Sequence, residues 1–320
     1  MSNAKFHVLV SDSIAAEGVD VLRNSGICEV DVKVGLKPAE LHEIIGNYDA
    51  LVIRSATKVT AETFGFAKKL KAIGRAGAGV DNVDVPAATT NKTVVMNTPA
   101  GNNLSVAELA IGHMFGLLRR IPEASASTKA GKWEKAKLMG QELTGKTVGI
   151  LGLGGIGKIV AKKANALDTK VIGHDPVVTA EQAKALGVEW VSFDDLLAKA
   201  DILTIHVPLN GATRGLLNKA AFAKAKKGLM LINASRGGIV VEADLVEALQ
   251  NGQVGAAAVD VFEAEPTDPQ NPLFAFPNVV CTPHLGASTV QAQDNVGVQI
   301  AHQIVEFLRD GTIVNAVNKF

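Results

Sequence analysis

TVGILGLGGIGK, residues 147–158, decides the fold. An apolar run, Thr147–Leu151, passes directly into Gly152-Leu153-Gly154-Gly155-Ile156-Gly157, and the pattern over Ile156–Ala166 is helical. A G-x-G-x-x-G string alone is weak evidence; between a strand and a helix it is the phosphate-binding turn of a dinucleotide fold. Glycine at 152 permits the tight turn, at 154 it lets backbone approach a pyrophosphate, and at 157 it lets helix and strand pack closely. The helix start, with Ile156 in its first turn, then presents unpaired N–H groups and a positive dipole end to phosphate. The next apolar run, Lys170–Gly173, leads to His174-Asp175-Pro176, so Asp175 falls 18 residues beyond Gly157, where a carboxylate accepts from ribose hydroxyls. It would repel a 2′-phosphate, and Pro176-Val177-Val178 offers no arginine to attract one. The expected cofactor is therefore NAD. A structural turn followed by a surface aspartate is the competing reading, and strand, glycines, helix and acid in register weigh against it.

Outward from this stretch the same alternation continues. Further strands are expected at Ile202–His206, Gly228–Asn233, Ala256–Val261 and Val279–Thr282. Upstream, Phe6–Val10, Cys28–Val34, Ala50–Ile53, Leu70–Ile73 and Thr93–Met96 read as five strands of a first α/β unit, with crossover helices such as Ala15–Asn24 and Pro38–Ile45. These runs are apolar on both faces, as parallel strands covered by helices on both sides must be. Between the two series lies a long apolar helix, Ser105–Ile121, for which Ser105 and Glu108 spell a capping box. A polar stretch follows to Thr144, and the last helix is expected at Ser288–Arg309. The fold class is α/β, two doubly wound parallel-sheet domains of Rossmann-like or flavodoxin-like type.

Composition agrees. The chain has 320 residues, 47% of them apolar, enough for two cores of ordinary domain size. With 32 basic and 32 acidic side chains it has no electrostatic footprint for nucleic acid or an anionic membrane, so neither is an expected partner. Cys28 and Cys281 cannot make a disulfide framework, which fits a reducing cytoplasm. No apolar run approaches the length of a membrane span. Residues 1–5 carry no apolar signal core, and Ser2-Asn3-Ala4 resembles the scar of an expression tag. No His/Cys/Asp/Glu cluster has metal-ligand spacing, so no metal is expected.

Three later segments place a functional side chain just beyond an apolar run. Leu229–Ala234 leads to Ser235-Arg236, Ala256–Val261 to Glu265, and Val279–Pro283 to His284. Ligands of open α/β sheets bind outside the carboxyl ends of the strands, so Arg236, Glu265 and His284 are expected to converge beside a nicotinamide. Oxidising a secondary alcohol requires a base for the hydroxyl proton while hydride leaves carbon. Histidine suits that role. A carboxylate on its other ring nitrogen would orient it and favour the imidazolium, and a guanidinium would hold a carboxylate or polarise the developing carbonyl. Singly, each residue also has a plain reading: a helix cap or surface fork for Arg236, a solvated loop acid for Glu265, a turn for His284. The joint pattern carries the inference.

A substrate pocket is expected from the first unit. Arg54-Ser55 and Arg75 follow neighbouring strands and suit a phosphate or second carboxylate. The turn Gly77-Ala78-Gly79-Val80 can form an N–H nest for an anion. Asn102 and Asn103 either meet substrate or make the turn into the long helix. For both arginines a salt bridge to surface acids is the alternative. His113 reads as a core or dimer-contact residue, while His7, His42 and His302 have no partner pattern.

IRSATKVT (53–60), GRAGAGVDNVD (74–84), VMNTPAGNNLSVAEL (95–109), GKTVGILGLGGIGK (145–158), INASRGGIV (232–240), AVDVFEAEP (258–266) and TPHLGAST (282–289) together resemble the D-isomer-specific 2-hydroxyacid dehydrogenases from Val8 to Val317. Within that family the resemblance is greatest to the D-3-phosphoglycerate dehydrogenases. It implies NAD-dependent oxidation of 3-phospho-D-glycerate to 3-phosphohydroxypyruvate, the first step of serine biosynthesis. It implies that Arg236 binds the substrate carboxylate and carbonyl, that His284 is the general acid/base and that Glu265 tunes it. Arg54, Ser55, Arg75, Ala78, Gly79 and Asn102 would face the substrate with Arg236 and His284. The cofactor would lie against Gly152, Gly154, Gly155, Ile156, Gly157, Asp175, Pro176, His206, Val207, Pro208, Thr213, Ala234, Ser235, Asp260 and Gly286. The final helix would cross back, so that residues 1–99 and 286–320 form a substrate domain around an inserted NAD domain, 100–285. Lys135 would reach a partner subunit's phosphate site. Many such dehydrogenases continue into a regulatory domain that binds serine; this sequence ends at Phe320, so feedback through such a domain is not expected.

Two other readings stay open on the residues. The same chemistry serves hydroxypyruvate or glyoxylate reduction and D-lactate oxidation, whereas formate oxidation is disfavoured because formate dehydrogenases of the family put glutamine where Glu265 stands. An NAD-sensing corepressor would keep the triad, although the chain shows no disordered or partner-motif tails. A homodimer or homotetramer is expected, because Val106–Leu118 is more apolar than a water-facing helix should be.

Overall fold

The computed structural model describes residues 5–319; the reading of Ser2-Asn3-Ala4 lies outside them. The chain opens with β1 (Phe6–Val10), α1 (Ala16–Asn24), β2 (Cys28–Val32), α2 (Pro38–Ile44), β3 (Ala50–Ile53), α3 (Ala61–Phe66), β4 (Ala72–Arg75), α4 (Val85–Thr90) and β5 (Val94–Asn97). It continues with α5 (Asn103–Leu118), α6 (Ile121–Lys129), β6 (Thr147–Leu151), α7 (Gly155–Asn165), β7 (Lys170–His174), α8 (Ala180–Ala185), β8 (Glu189–Trp190), α9 (Phe193–Lys199) and β9 (Ile202–Ile205). Then come α10 (Lys219–Lys224), β10 (Leu229–Asn233), α11 (Glu242–Gln250), β11 (Val254–Val259), β12 (Val279–Cys281) and α12 (Val290–Asp310). Two compact units result, Met1–Asn102 with Ala287–Phe320, and Asn103–Gly286.

The first unit holds a five-stranded parallel sheet in the order β2-β1-β3-β4-β5. Alternation along each strand feeds two cores. Val8, Val10, Val52 and Ala72 face one side with Leu22 of α1 and Ile300 and Ile304 of α12. Leu9, Leu51, Ile53 and Ile73 face the other with Leu41 of α2 and Phe64 of α3. The last helix therefore returns to the first sheet, and small residues make room for it. A Cβ on Gly18 would stand 2.7 Å from the Gly297 carbonyl carbon, and one on Gly74 would stand 2.7 Å from Ile300. Thr289 caps α12 by accepting from the Ala292 N–H, so the helix begins at Val290 rather than Ser288.

The second unit holds a seven-stranded parallel sheet in the order β12-β11-β10-β9-β6-β7-β8. β6 sits between β7 and β9, where strand order reverses, the topological switch point beyond which ligands of such sheets bind. On one face α5 and α7 pack together through Ala107, Ala110, Met114, Val160 and Ala164 over Ile150 and Ile202. On the other, Leu196, Phe222 and Leu245 cover Leu203, Leu231 and Val259.

Some boundaries differ from the sequence reading. β4 begins at Ala72, not Leu70, because Leu70 packs before the strand while its carbonyl takes the Thr93 hydroxyl at 2.9 Å. β5 likewise runs one residue later, and β2 stops at Val32. The long helix begins at Asn103, so Ser105 is not its N-cap. Ser105 is buried and donates its hydroxyl to the Gly286 carbonyl at 2.8 Å, while Glu108 points outward to Lys163 at 3.0 Å. The helix also ends sooner, at Leu118, and Ile121 starts α6 with Pro122 in its first turn.

Candidate active site

The glycine-rich turn is built as its sequence requires. Gly152 has φ +95°, and a Cβ there would sit 2.6 Å from the His206 carbonyl oxygen, where the turn passes the end of β9. A Cβ on Gly157 would collide with the Gly152 carbonyl, so α7 can press onto its own turn only with glycine at that position. Gly154 instead has open space where a Cβ would be, and it precedes α7, whose first N–H groups lack partners in the helix. Gly155 lies against the side chain of Asn103. The residues thus leave room for a pyrophosphate at the helix start.

Asp175 stands just beyond β7. It accepts from Leu153 N–H at 2.8 Å on one oxygen and from Val177 and Val178 N–H at 2.8 and 3.1 Å on the other. Burial pushes its carboxyl up, but the N–H groups of Val177, Leu153 and Val178 outweigh that and hold it below the usual range. It is an anion just beyond β7, next to the glycine-rich turn through its bond to Leu153. On the opposite side of the switch point, His206 Nε2 pairs with Thr204 Oγ1 at 2.9 Å. Its Nδ1 is buried without a hydrogen-bond partner among the described residues, and burial pushes the imidazole down to about 3. Thr213 donates to the Pro208 carbonyl at 2.6 Å, and Ser235 to the Val207 carbonyl at 2.5 Å. Val207 and Ser235 thus tie together the loops beyond β9 and β10, with Pro208 and Ala234 beside them in sequence. Ile156 is half-buried in the first turn of α7, and Pro176 is exposed.

Arg236, Glu265 and His284 come off the carboxyl ends of three adjacent strands, β10, β11 and β12. His284 Nδ1 lies 2.7 Å from Glu265 Oε2, and both side chains keep solvent access, at 47% and 36%. Glu265 Oε1 accepts from Phe262 N–H at 3.0 Å, which fixes the carboxylate. With Nδ1 turned to Glu265, the other ring nitrogen is the one available to a reacting hydroxyl. Arg236 is half-buried; one guanidinium nitrogen donates to the Ser235 carbonyl at 2.7 Å.

The loop bearing His284 rests on a buried carboxylate. Asp260 has no exposed surface and accepts from Thr282 Oγ1 at 2.6 Å, Leu285 N–H at 2.7 Å and Gly286 N–H at 2.9 Å. Its carbonyl takes the His284 N–H at 2.8 Å, and His284 itself has φ +55°. The sequence reading puts Asp260 and Gly286 against the cofactor; in the structure they set the backbone under the histidine. Two further residues escape that reading. Asn233 brackets the arginine turn by donating to the Arg236 carbonyl at 3.0 Å and accepting from Ser235 N–H at 3.2 Å. Gly237 abuts the Phe262 carbonyl, where a Cβ would collide. A polar residue ending an apolar strand is the available signal for Asn233.

In the first unit Arg54 leaves the end of β3, half-buried, with a guanidinium nitrogen 3.3 Å from the Ser13 carbonyl. Burial pulls its pKa down, and Asp12 opposes that. Ser55 beside it is exposed. Arg75 is the last residue of β4, and its guanidinium occupies the space a Gly77 Cβ would need; Gly77 has φ +144°. Thr98 N–H, the Asn97 amide and Val83 N–H donate to the carbonyls of Gly77, Ala78 and Val80 at 3.0, 2.5 and 2.9 Å, and Gly79 lies half-buried in this turn. Asn102 is half-buried just before α5. Lys135 is exposed in a short 3-10 turn, Lys135–Leu138. His113 is buried on α5 near Asp260, a core position, and His42 stacks on Phe66. Among the described residues no helix is long and apolar enough to cross a membrane.

Comparison with known proteins agrees with this geometry. Residues 111–286 match the family model described as D-isomer specific 2-hydroxyacid dehydrogenase, NAD binding domain. The chain is 50% identical over 311 residues to the D-3-phosphoglycerate dehydrogenase of Archaeoglobus fulgidus, covering 97% of this chain but 59% of that protein. It thus spans less than two thirds of the curated relatives it matches. The TT0316 protein from Thermus thermophilus superposes with a TM-score of 0.89 at 33% identity, covering 98% of this chain and all of the other. The NAD+-bound 3-phosphoglycerate dehydrogenase of Entamoeba histolytica superposes with a TM-score of 0.83 at 31% identity, covering 99% and 100%. With the glycine turn, the aspartate beyond β7 and the parallel sheet already in place, the match over its second unit makes this chain a member of the D-isomer specific 2-hydroxyacid dehydrogenases, with NAD as the cofactor of its 111–286 domain.

Proposed function

We propose that the chain oxidises 3-phospho-D-glycerate to 3-phosphohydroxypyruvate with NAD. The observation that carries the reading is the His284–Glu265 pair at 2.7 Å, beyond the carboxyl ends of β12 and β11, with Arg236 beyond the end of β10, the neighbour of β11. Bound NAD supplies the hydride acceptor. His284 takes the proton of the C2 hydroxyl through its Nε2 as the C–H bond breaks. Glu265 holds Nδ1–H, so the ring presents its basic nitrogen and the imidazolium that forms has a counter-charge. Arg236 grips the C1 carboxylate and steadies negative charge on the C2 oxygen.

Arg54, with Ser55, Arg75 and the Ala78-Gly79 turn, is assigned to the phosphate, and Asn102 to the substrate side of the helix start. Residues 1–99 and 286–320 are accordingly proposed as the substrate domain. The two free cysteines and the reaction suit a cytoplasmic enzyme. A homodimer is part of the proposal, on different grounds from the apolar pattern of α5. That pattern is accounted for by burial of Val106, Ala107, Ala110, Met114, Leu117 and Leu118 inside the unit. Trp133 at 87% and Met139 at 81% exposure, with exposed Ile121, are the apolar side chains that a second copy would cover. A sedimentation mass of one chain would remove this part.

The test is NADH formation. 3-Phosphoglycerate should be turned over with a KM well below that of D-glycerate or D-lactate. Arg54→Ala should raise KM for 3-phosphoglycerate by about 10- to 100-fold and for D-glycerate by under about 3-fold. Equal effects on both substrates would remove the phosphate assignment, and preference for an unphosphorylated acid would remove the substrate.

A further inference from the structure

Two side chains, Asp12 and Asn82, hold the loop that carries Arg54. Strand β1 ends at Val10, and the next two residues, Ser11 and Asp12, are buried although both are polar. Among the described residues, every hydrogen bond that the structure gives the Asp12 carboxylate comes from one loop beyond β3. Arg54 N–H donates to Oδ2 at 2.6 Å, Thr57 N–H to both oxygens at 3.1 Å, and Thr57 Oγ1 to Oδ1 at 2.6 Å. Ser11 Oγ adds a 2.9 Å contact to the same threonine hydroxyl. From the other side Asn82 donates its amide to the carbonyls of Arg54 at 2.7 Å and Thr57 at 2.6 Å. The N–H and C=O of residue 54 and of residue 57 are thus all taken by two side chains that lie 42 and 28 positions from Arg54.

A carboxylate is costly to bury, and one whose donors all belong to a single loop fixes that loop's backbone more firmly than an apolar residue there would. Between Ile53 and Ala61 the loop forms neither helix nor strand, and its bridge of Val59 to Val83 lies past Thr57, so the bonds from Asp12 and Asn82 are what set the backbone at residues 54 and 57. We infer that Asp12 is a positioning residue for substrate recognition: by clamping Arg54 and Thr57 it aims the Arg54 guanidinium at the substrate's phosphate. This rests on the assignment of Arg54 to that phosphate. Asp12 itself touches no substrate.

Asp12→Asn is isosteric but sets an NH2 group against donors of the loop. Thr57→Val removes one hydroxyl donor, and Thr57→Ser restores it. Steady-state kinetics should show KM for 3-phosphoglycerate raised about 10-fold in Asp12→Asn and Thr57→Val and near the parent value in Thr57→Ser, with KM for NAD and for D-glycerate changed by under about 2-fold. Adding Asp12→Asn to Arg54→Ala should raise KM for 3-phosphoglycerate no further, because the clamp works through the arginine. Additive effects in the double variant would overturn the inference. So would equal losses on phosphorylated and unphosphorylated substrates, or a folded Thr57→Val enzyme with parental KM. Should Arg54→Ala alone fail to distinguish the two substrates, the phosphate assignment fails first and independently of Asp12.

Discussion

At the scale of single residues, burial separates the histidines. His284 keeps solvent access and pairs with Glu265, as the proposed proton transfer requires. His206, by contrast, is held neutral. Burial lowers its imidazole from 6.5 to about 3, so the folded state binds that proton less tightly than the unfolded chain. Its contribution to stability is complete above about pH 6.5 and is lost as pH falls from there through about 3, at up to about 1.4 kcal/mol per pH unit. Urea denaturation at about pH 7 and about pH 5 should therefore show a drop in stability that His206→Gln flattens. Identical pH slopes in the two proteins would mean that His206 is not the group responsible.

At the scale of elements, the sheet positions the site and close helix crossings hold the sheet's cover. α1 and α12 meet at Gly18 and Gly297, backbone against backbone. Gly18→Val should cost about 1–3 kcal/mol by overpacking this crossing, read as a lower urea midpoint. An unchanged midpoint would contradict the close approach. Much at this scale is legible in the chain itself. The strand–glycine–helix stretch at 147–158 and the doubly apolar strands point to the parallel sheets, because period and turn chemistry are local properties. What escapes is non-local. Ser105 looks like a cap in sequence, but its hydroxyl answers a carbonyl 181 positions away at Gly286. Asp12 and Thr57 are 45 positions apart, and nothing near either announces the other. The return of α12 to the first sheet is likewise unreadable from its own amphipathic pattern, since any apolar face would satisfy it.

At the scale of the whole molecule, one chain supplies two parallel sheets, and the proposed roles fall on the strand-end loops of each. The second unit carries the NAD turn, Arg236 and the His284–Glu265 couple; the first carries the clamped Arg54 loop. His284 is proposed to move the proton in an NAD-linked oxidation. The most direct test is the turnover of 3-phosphoglycerate by His284→Asn alongside NAD binding by the same protein. Asparagine keeps a polar group at that position but cannot cycle a proton at neutral pH. If His284 has that role, kcat/KM should fall by about 100- to 10,000-fold with the NAD dissociation constant within about 2-fold of the parent. Turnover within a few fold of the parent, with NAD bound normally, would contradict it.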